Sequence, residues 1–378
     1  MRILHLIYTH GVAGAEKYLL DLLPGLKEYG INADVICICP HVYKNKVQQY
    51  CNRLTEKGIA TKLITSGRLN IWGTAKKINQ YCLANNIKVI HSHLFNSDMM
   101  AVAVKLFFNK KIQLLSTKHG YKETYFINNA ENIGKIPYGF YYFLTKYLIS
   151  KIDNNITISK AISDLYHNLK LTPEKMPYIH HGICVDKKYI KEDEISYKKF
   201  SPQLVIVGRL TTIKGHAYLF DAMPDIIKEF PGVHLLVIGE GVEEKALQQK
   251  SAKLRIENHV SFIGFQNTPY AYMEESDIIV LPSLYEPFGL VYIESFALKT
   301  PMVAFDVQAC NEIIKNNETG VLVPVKDSVS LAKAIISLLK NANERSRLAE
   351  NGYQEYINYY NTARMIKDTN AWYSATII

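Results

Sequence analysis

Short apolar runs alternate with helical patterns along almost the whole chain, and this alternation constrains the fold more than any other feature. Parallel strands need a crossover of a dozen or more residues, usually a helix, so the pattern specifies parallel sheets built from βαβ units. Residues 3–8 and 33–39 read as buried strands. Between them, residues 16–29 carry Leu19, Leu20, Leu22, Leu23 and Leu26 at helical spacing and stop at Gly30, a residue suited to a helix C-cap. Further strands are expected over 60–64, 88–91, 113–117 and 155–158, with an aromatic helical run, 138–149, between the last two.

From Asp186 to Pro202 the sequence becomes charge-rich and loses periodicity. This divides the chain into an N-terminal Rossmann-like domain over 1–186, a linker over 187–202 and a second domain over 203–360. Strands at 204–207, 234–238, 260–263, 278–281 and 302–305 make the second domain another doubly wound sheet, and the tyrosine-rich tail from Asn351 is expected to be helical. A chain of 378 residues is comfortable for two such cores.

Apolar residues make up 48% and charged residues 21%, enough core-forming side chains to argue against disorder. The six cysteines are scattered without a CxxC pair, so neither a disulfide framework nor a thiolate zinc site is expected, in keeping with a reducing cytoplasm. The opening MRILHLIYTHG reads directly as a strand running into a glycine loop, with no secretory leader expected. No transmembrane helix is expected, because the most apolar stretch is short and carries Lys146. A net charge of +9 favours anionic partners. No zinc-finger pattern or RNA-recognition strand accompanies it, so nucleic acid is not an expected partner.

Ligands of open α/β sheets sit beyond the carboxyl ends of the strands, so the loops there carry the candidate chemistry. The first strand runs into Thr9-His10-Gly11-Val12-Ala13-Gly14-Ala15-Glu16, either an anion site at a helix N-terminus or a tight turn alone. The second domain opens with Gly208-Arg209-Leu210 and then Lys214-Gly215-His216, two cations suited to clamping a diphosphate or merely a solvated pair. Residues 238–244 begin like a dinucleotide fingerprint but lack its third glycine, which argues against a nicotinamide site and leaves a tight turn bordering a nucleotide base. The most informative stretch runs from Pro282 to Glu294, where a strand end, Glu286, the turn Phe288-Gly289-Leu290 and Glu294 follow in succession. Backbone amides of Phe288, Gly289 and Leu290 at a helix N-terminus suit a phosphate, while Glu286 and Glu294 can accept from sugar hydroxyls.

With these residues the chain resembles family 4 of the retaining glycosyltransferases, whose E-x7-E signature is met by Glu286 and Glu294. The resemblance runs from the Gly11 to Glu16 loop through Ile158-Ser159-Lys160-Ala161 and Gly208-Arg209 to Asn317-Glu318-Thr319-Gly320-Val321-Leu322-Val323. It implies a GT-B fold, two doubly wound Rossmann-like domains facing across a cleft, with a C-terminal helix over 361–378 returning to the first domain. It further implies that Glu286 contacts donor-sugar hydroxyls, Glu294 the ribose, Arg209 and Lys214 the diphosphate, and Gly14 the donor phosphates. His119, in Ser116-Thr117-Lys118-His119-Gly120, matches a family histidine near the reacting sugar, implying donor positioning or transition-state stabilisation; a loop histidine bonded to nearby backbone is the alternative. The family's Asn-Gly-Val-Asp segment is replaced by His181-Gly182-Ile183-Cys184-Val185-Asp186. His91 and His93, after an N-domain strand, are read as structural.

The implied reaction is transfer, with retention, from a nucleotide diphosphate sugar, UDP by family habit, to a glycan or lipid-linked acceptor. Fixed cations and helix amides would help the diphosphate depart. No D-x-D pair occurs, so no metal and no cofactor is expected. The basic, aromatic segment 135–151 packs internally or touches a membrane surface, packing being preferred, and the protein is expected in the cytoplasm or peripherally at the inner membrane face. A GT-B sugar-nucleotide epimerase and a catalytically silent carbohydrate-binding subunit are the rival readings.

Overall fold

The structure is a computed structural model and describes residues 1–67, 70–121, 139–185 and 200–377. Its strands are β1 (Arg2–Tyr8), β2 (Asn32–Cys39), β3 (Ala60–Thr65), β4 (Val89–His93), β5 (Gln113–Lys118), β6 (Asn154–Thr157), β7 (Gln203–Val207), β8 (His234–Ile238), β9 (Val260–Gly264), β10 (Ile278–Leu281), β11 (Met302–Phe305) and β12 (Val321–Val323). The helices of the first half are α1 (Gly14–Leu26), α2 (Lys44–Glu56), α3 (Ile71–Ala84), α4 (Phe95–Phe107), α5 (Phe140–Lys151) and α6 (Lys160–Asn168). They are followed by α7 (His216–Glu229), α8 (Glu244–Leu254), α9 (Tyr270–Glu274), α10 (Leu290–Ala297), α11 (Cys310–Ile313), α12 (Ser328–Lys340), α13 (Ala342–Glu355) and α14 (Thr362–Thr376).

The chain forms two compact units, one of Met1–Gly182 with Asn361–Ile378, the other of Ile183–Tyr360. Most of the linker expected over 187–202 lies outside the described residues. Each unit holds a six-stranded parallel sheet, ordered β3-β2-β1-β4-β5-β6 in unit 1 and β12-β11-β10-β7-β8-β9 in unit 2. Strand order therefore reverses between β1 and β4 and between β7 and β10, and at such a reversal the adjacent crossovers go to opposite faces and leave a crevice.

Alternation along β1 shows how unit 1 is built. Ile3 and Ile7 point into a core closed by α1, α2 and α14, whereas Leu4, Leu6 and Tyr8 point into one closed by α3, α4 and α5. Both faces are covered, so nearly every strand residue is apolar, as a parallel sheet requires. β4 breaks that rule and extends two residues beyond the sequence expectation. His91 and His93 both lie within it and are wholly buried, His93 past the end expected of the strand. Polar His-Ser-His hides a strand from hydropathy, and hydrogen bonds on the sheet face make the burial tolerable.

In unit 2, Leu204, Ile206, Leu235, Val237, Ile278, Val280, Val303 and Phe305 form one core with α7 and α12. β12 is a three-residue strand that the sequence did not announce. The helical tail is not continuous from Asn351. α13 passes into a π-helical turn, Tyr356–Tyr360, and α14 restarts with the Asn361 side chain accepting from the Arg364 amide at 2.9 Å. α14 belongs to unit 1, where Tyr373 is fully buried. No described helix is long and apolar enough to cross a membrane.

Candidate functional site

Three loops meet at the carboxyl edge of the unit 2 sheet. The loop after β7 is held to the loop after β8 by backbone bonds: Gly208 N–H to Ile238 O at 3.0 Å, Leu210 N–H to Glu240 O at 2.9 Å, and Glu243 N–H to Leu210 O at 3.0 Å. This accounts for the 238–244 turn as a brace for the Arg209 loop. On the other side, the Leu284 amide donates to Ile213 O at 2.8 Å, tying the same loop to the one after β10.

The two loops also pack together at Gly215, whose φ of +70° lies in the left-handed region. A Cβ there would stand 1.8 Å from the Pro282 carbonyl oxygen, so only glycine lets the loops close. Closure brings Lys214 against Glu286: Lys214 Nζ forms an ion pair with Glu286 Oε1, which also accepts from Ser283 Oγ at 3.0 Å. The pair is largely withdrawn from water, with side-chain exposures of 19% and 11%. Among the described residues Glu286 Oε2 accepts no hydrogen bond, and Lys214 spends one of its three N–H groups. The pair is thus oriented from within and keeps an acceptor and two donors in hand.

Gly289 caps α10 at φ +91°, with the Tyr292 ring packed behind it where a Cβ would lie 2.4 Å away. Phe288 and Leu290 flank this turn. The Phe288 side chain is buried, its ring 6.2 Å from that of Tyr360, so it contributes backbone rather than side chain to any ligand surface. Glu294 lies one turn into α10, only 6% exposed, and accepts from Tyr270 OH at 3.4 Å. Arg209 is exposed on the loop braced by Glu240 and Glu243. The structure therefore puts Lys214 and Glu286 in contact and gathers Arg209, Gly289, Leu290 and Glu294 on the loops and helix beside them. Sequence reasoning assigned no role to Ser283 or Tyr270. Ser283 stands three residues before Glu286 and was within reach; nothing local marks Tyr270.

In unit 1, Gly14 is exposed as the first residue of α1. The turn before it is shaped by Glu16, whose Oε2 accepts from the Ala13 amide at 2.9 Å, and by Thr9 Oγ1, which accepts from the Gly11 amide at 3.1 Å. Burial pushes the Glu16 carboxyl above its ordinary range, while bonds from Thr9 and Ala13 pull the other way.

His119 follows β5 directly and is half-buried. Its Nε2 is hydrogen-bonded to His93 Nδ1 at 3.1 Å, and its ring meets Tyr18 edge-on at 5.2 Å. Its partner is thus a side chain of the sheet face, not backbone. Burial, with the nearby Lys118 charge, lowers its pKa to about 3, so it is neutral at physiological pH. His5, His91 and His93 bring one ring nitrogen each within 4.8 Å of one another. Both nitrogens of His91 are already bonded, to Tyr373 OH at 2.6 Å and Thr117 Oγ1 at 2.8 Å, and both of His93, to His5 and His119. The cluster is a hydrogen-bond array.

Residues 12–187 match the family model described as Glycosyltransferase Family 4, and residues 189–355 the one described as Glycosyl transferases group 1. The chain belongs to glycosyltransferase family 4. This family 4 chain is 30% identical over 226 residues to the uncharacterized glycosyltransferase MJ1607 of Methanocaldococcus jannaschii, covering 57% of this chain and 58% of that protein. It is 26% identical to the N-acetylgalactosamine-N,N'-diacetylbacillosaminyl-diphospho-undecaprenol 4-alpha-N-acetylgalactosaminyltransferase of Campylobacter jejuni, covering 89% of each. The chain spans about half the length of MJ1607 and of several other curated relatives that it matches. The solved structure of HepE from Anabaena, in complex with UDP and glucose, superposes with a TM-score of 0.80 at 19% identity, covering 99% of this chain and 100% of that one. The fold of this family 4 chain is GT-B.

Proposed function

We propose that this family 4 chain is a retaining glycosyltransferase that moves a sugar from a nucleotide diphosphate sugar, UDP favoured, to a glycan or lipid-linked acceptor in polysaccharide or glycolipid synthesis. The observation that carries the reading is the Lys214–Glu286 pair at the strand-order reversal of unit 2, an oriented carboxylate beside a cation with donors to spare. Glu286 Oε2 accepts from donor-sugar hydroxyls, Glu294 from the ribose, and Lys214, Arg209 and the amides of Phe288, Gly289 and Leu290 hold the diphosphate. Gly14 is assigned to the donor phosphates and His119 to the reacting sugar.

In the proposed reaction the bond between the anomeric carbon and the diphosphate oxygen breaks as the acceptor oxygen attacks from the same face. The acceptor proton passes to the departing phosphate oxygen. Negative charge grows on the diphosphate, where fixed cations and helix amides stabilise it more in the transition state than in the ground state. These groups perform the charge neutralisation for which other transferases use a divalent ion, so we propose that transfer needs none. A UDP donor is supported by the complex of HepE with UDP and glucose, and a lipid-linked acceptor by the diphospho-undecaprenol in the name of the Campylobacter relative. α5 packs Tyr142, Leu148 and Ile149 inward and exposes Phe140, Phe143 and Tyr147, a face that supports peripheral contact with a membrane carrying such an acceptor.

A thermal-shift screen of nucleotide sugars, followed by assay of free nucleotide diphosphate with and without acceptor, tests the reading. The expected result is one donor that raises Tm and releases its nucleotide only when acceptor is present. An isomerised sugar formed without acceptor would make the protein an epimerase instead, and the absence of any stabilising donor would make it a silent subunit.

A further inference from the structure

Parallel pairing sets His5 beside His91 and Ile7 beside His93, and His93 in turn beside Thr117, two residues before His119. Residues of one parity share a sheet face, so the register alone gathers His5, His91, His93 and His119 on the face beneath α1 and α14. Three of these rings are bonded in series: His5 Nδ1 to His93 Nε2 at 3.0 Å, and His93 Nδ1 to His119 Nε2 at 3.1 Å. Burial lowers the pKa of all three, to about 3 for His5 and His119 and well below 6.5 for His93, with further lowering of His93 and His119 by neighbouring positive charge. Each ring is therefore neutral near pH 7 and carries one N–H and one lone pair.

A series of three neutral imidazoles has only two consistent polarities. If protons point inward, from His119 through His93 to His5, the last proton lies on His5 Nε2. That atom is buried and, among the described residues, has no hydrogen-bond partner. The inward series thus ends in a buried, unanswered N–H, whereas the outward series leaves there only an unused lone pair. Orphaned donors are the rarer and costlier of the two. We propose that His5 and His93 are positioning residues that hold His119 in the tautomer with its proton on Nδ1.

The consequence reaches the chemistry. His119 Nδ1 makes no hydrogen bond among the described residues, and the ring is half-buried at the carboxyl end of β5. It presents a neutral N–H, fit to donate to a sugar hydroxyl or phosphate oxygen and unable to accept the acceptor's proton at that atom. This last step rests on the transferase reading above; the tautomer does not.

The full chain labelled with 15N-histidine is examined at neutral pH by long-range 1H–15N correlation, the His119 signals being assigned by their loss in His119→Asn. The expected spectrum shows pyrrole-type Nδ1 and pyridine-type Nε2 for His119, the Nδ1–H form exceeding the other by roughly tenfold or more, although unconstrained histidine in water favours Nε2–H. His93→Asn, whose amide N–H stands near the former Nδ1, keeps that pattern, and His93→Phe shifts His119 toward Nε2–H. A native His119 protonated on Nε2, or a His93→Phe spectrum unchanged from the native one, overturns the proposal. The native spectrum decides alone if His93→Phe does not fold. No donor is needed, so failure of the transferase reading remains separate. Once a donor is known, His93→Phe is expected to lose kcat roughly tenfold more than His93→Asn; equal losses would also overturn the positioning role.

Discussion

Gly215→Ala is expected to damage unit 2 far more than an ordinary glycine substitution, and Gly264→Ala supplies the internal control. The two glycines share a left-handed backbone, φ +70° and +77°, and lie in the same unit. At Gly264 nothing among the described residues stands within 4 Å of the added Cβ, so the change costs only backbone strain, about 1 kcal/mol. At Gly215 the Cβ would lie 1.8 Å from the Pro282 oxygen, so the β10 loop must retreat by more than an ångström. Forced repacking of this kind adds about 1–3 kcal/mol, for a total of about 2–4 kcal/mol. For a unit of this size that converts to a Tm lowered by about 4–16 °C, against about 2–4 °C for Gly264→Ala. Scanning calorimetry of the unit 2 transition measures both. The retreat also separates Lys214 from Glu286, so donor binding should weaken in Gly215→Ala and persist in Gly264→Ala. If the two variants agree within about 0.5 kcal/mol, the close approach does not constrain the loops as argued.

Lys214→Met and Glu286→Gln should each lower kcat by about 10²–10³-fold with the fold intact by circular dichroism; turnover at the native rate in either purified variant would count against their assigned roles. Asp98 holds Lys118 Nζ at 2.6 Å, Ser116 Oγ at 2.7 Å and Ser92 Oγ at 2.6 Å inside unit 1. Asp98→Ala strands a buried ammonium and should cost about 3–5 kcal/mol in urea titration; a loss under about 1 kcal/mol would show that Lys118 escapes to water. Burial lowers the pKa of His5, His91, His93, His119 and His181 below the ordinary 6.5. Because the unfolded chain binds protons that these rings refuse when folded, their contribution is complete above about pH 6.5 and is lost as pH falls toward 3. The unit 1 melting temperature should therefore fall on acidification from pH 7 to 5, and a flat profile would contradict the buried, neutral state.

What the sequence disclosed depended on how locally each feature is encoded. β8, β10 and β11 occupy the residues their apolar runs predicted, because a buried parallel strand is written in consecutive residues. The Pro282 to Glu294 stretch was equally visible, with its chemistry compressed into one loop and one helix. The contact of Lys214 with Glu286 joins positions 72 apart and follows from β10 lying next to β7, a strand order that no window of sequence contains. The histidine array failed in another way. Alternating His-Ser-His offers no apolar run to carry the strand past His91, and only the registers that bring His5, His91 and His93 together show that the bonds are satisfied sideways across the sheet. The break at residues 356–360 was equally hidden, since the tyrosine-rich tail keeps a helical composition on both sides of it.

The return of α14 to the first unit imposes an order on biogenesis. Tyr373 and Met365 fill the same core as Ile3, Val89 and Leu115, and the Gly182 amide donates to Met365 Sδ at 3.2 Å. A ribosome makes this segment only after every residue of unit 2. Until then the sheet face that carries the histidines has α1 and α2 over it but lacks the third of its covering helices. The half of the molecule synthesised first is thus the last to mature, and unit 2 can be native while its elder neighbour still waits for a helix.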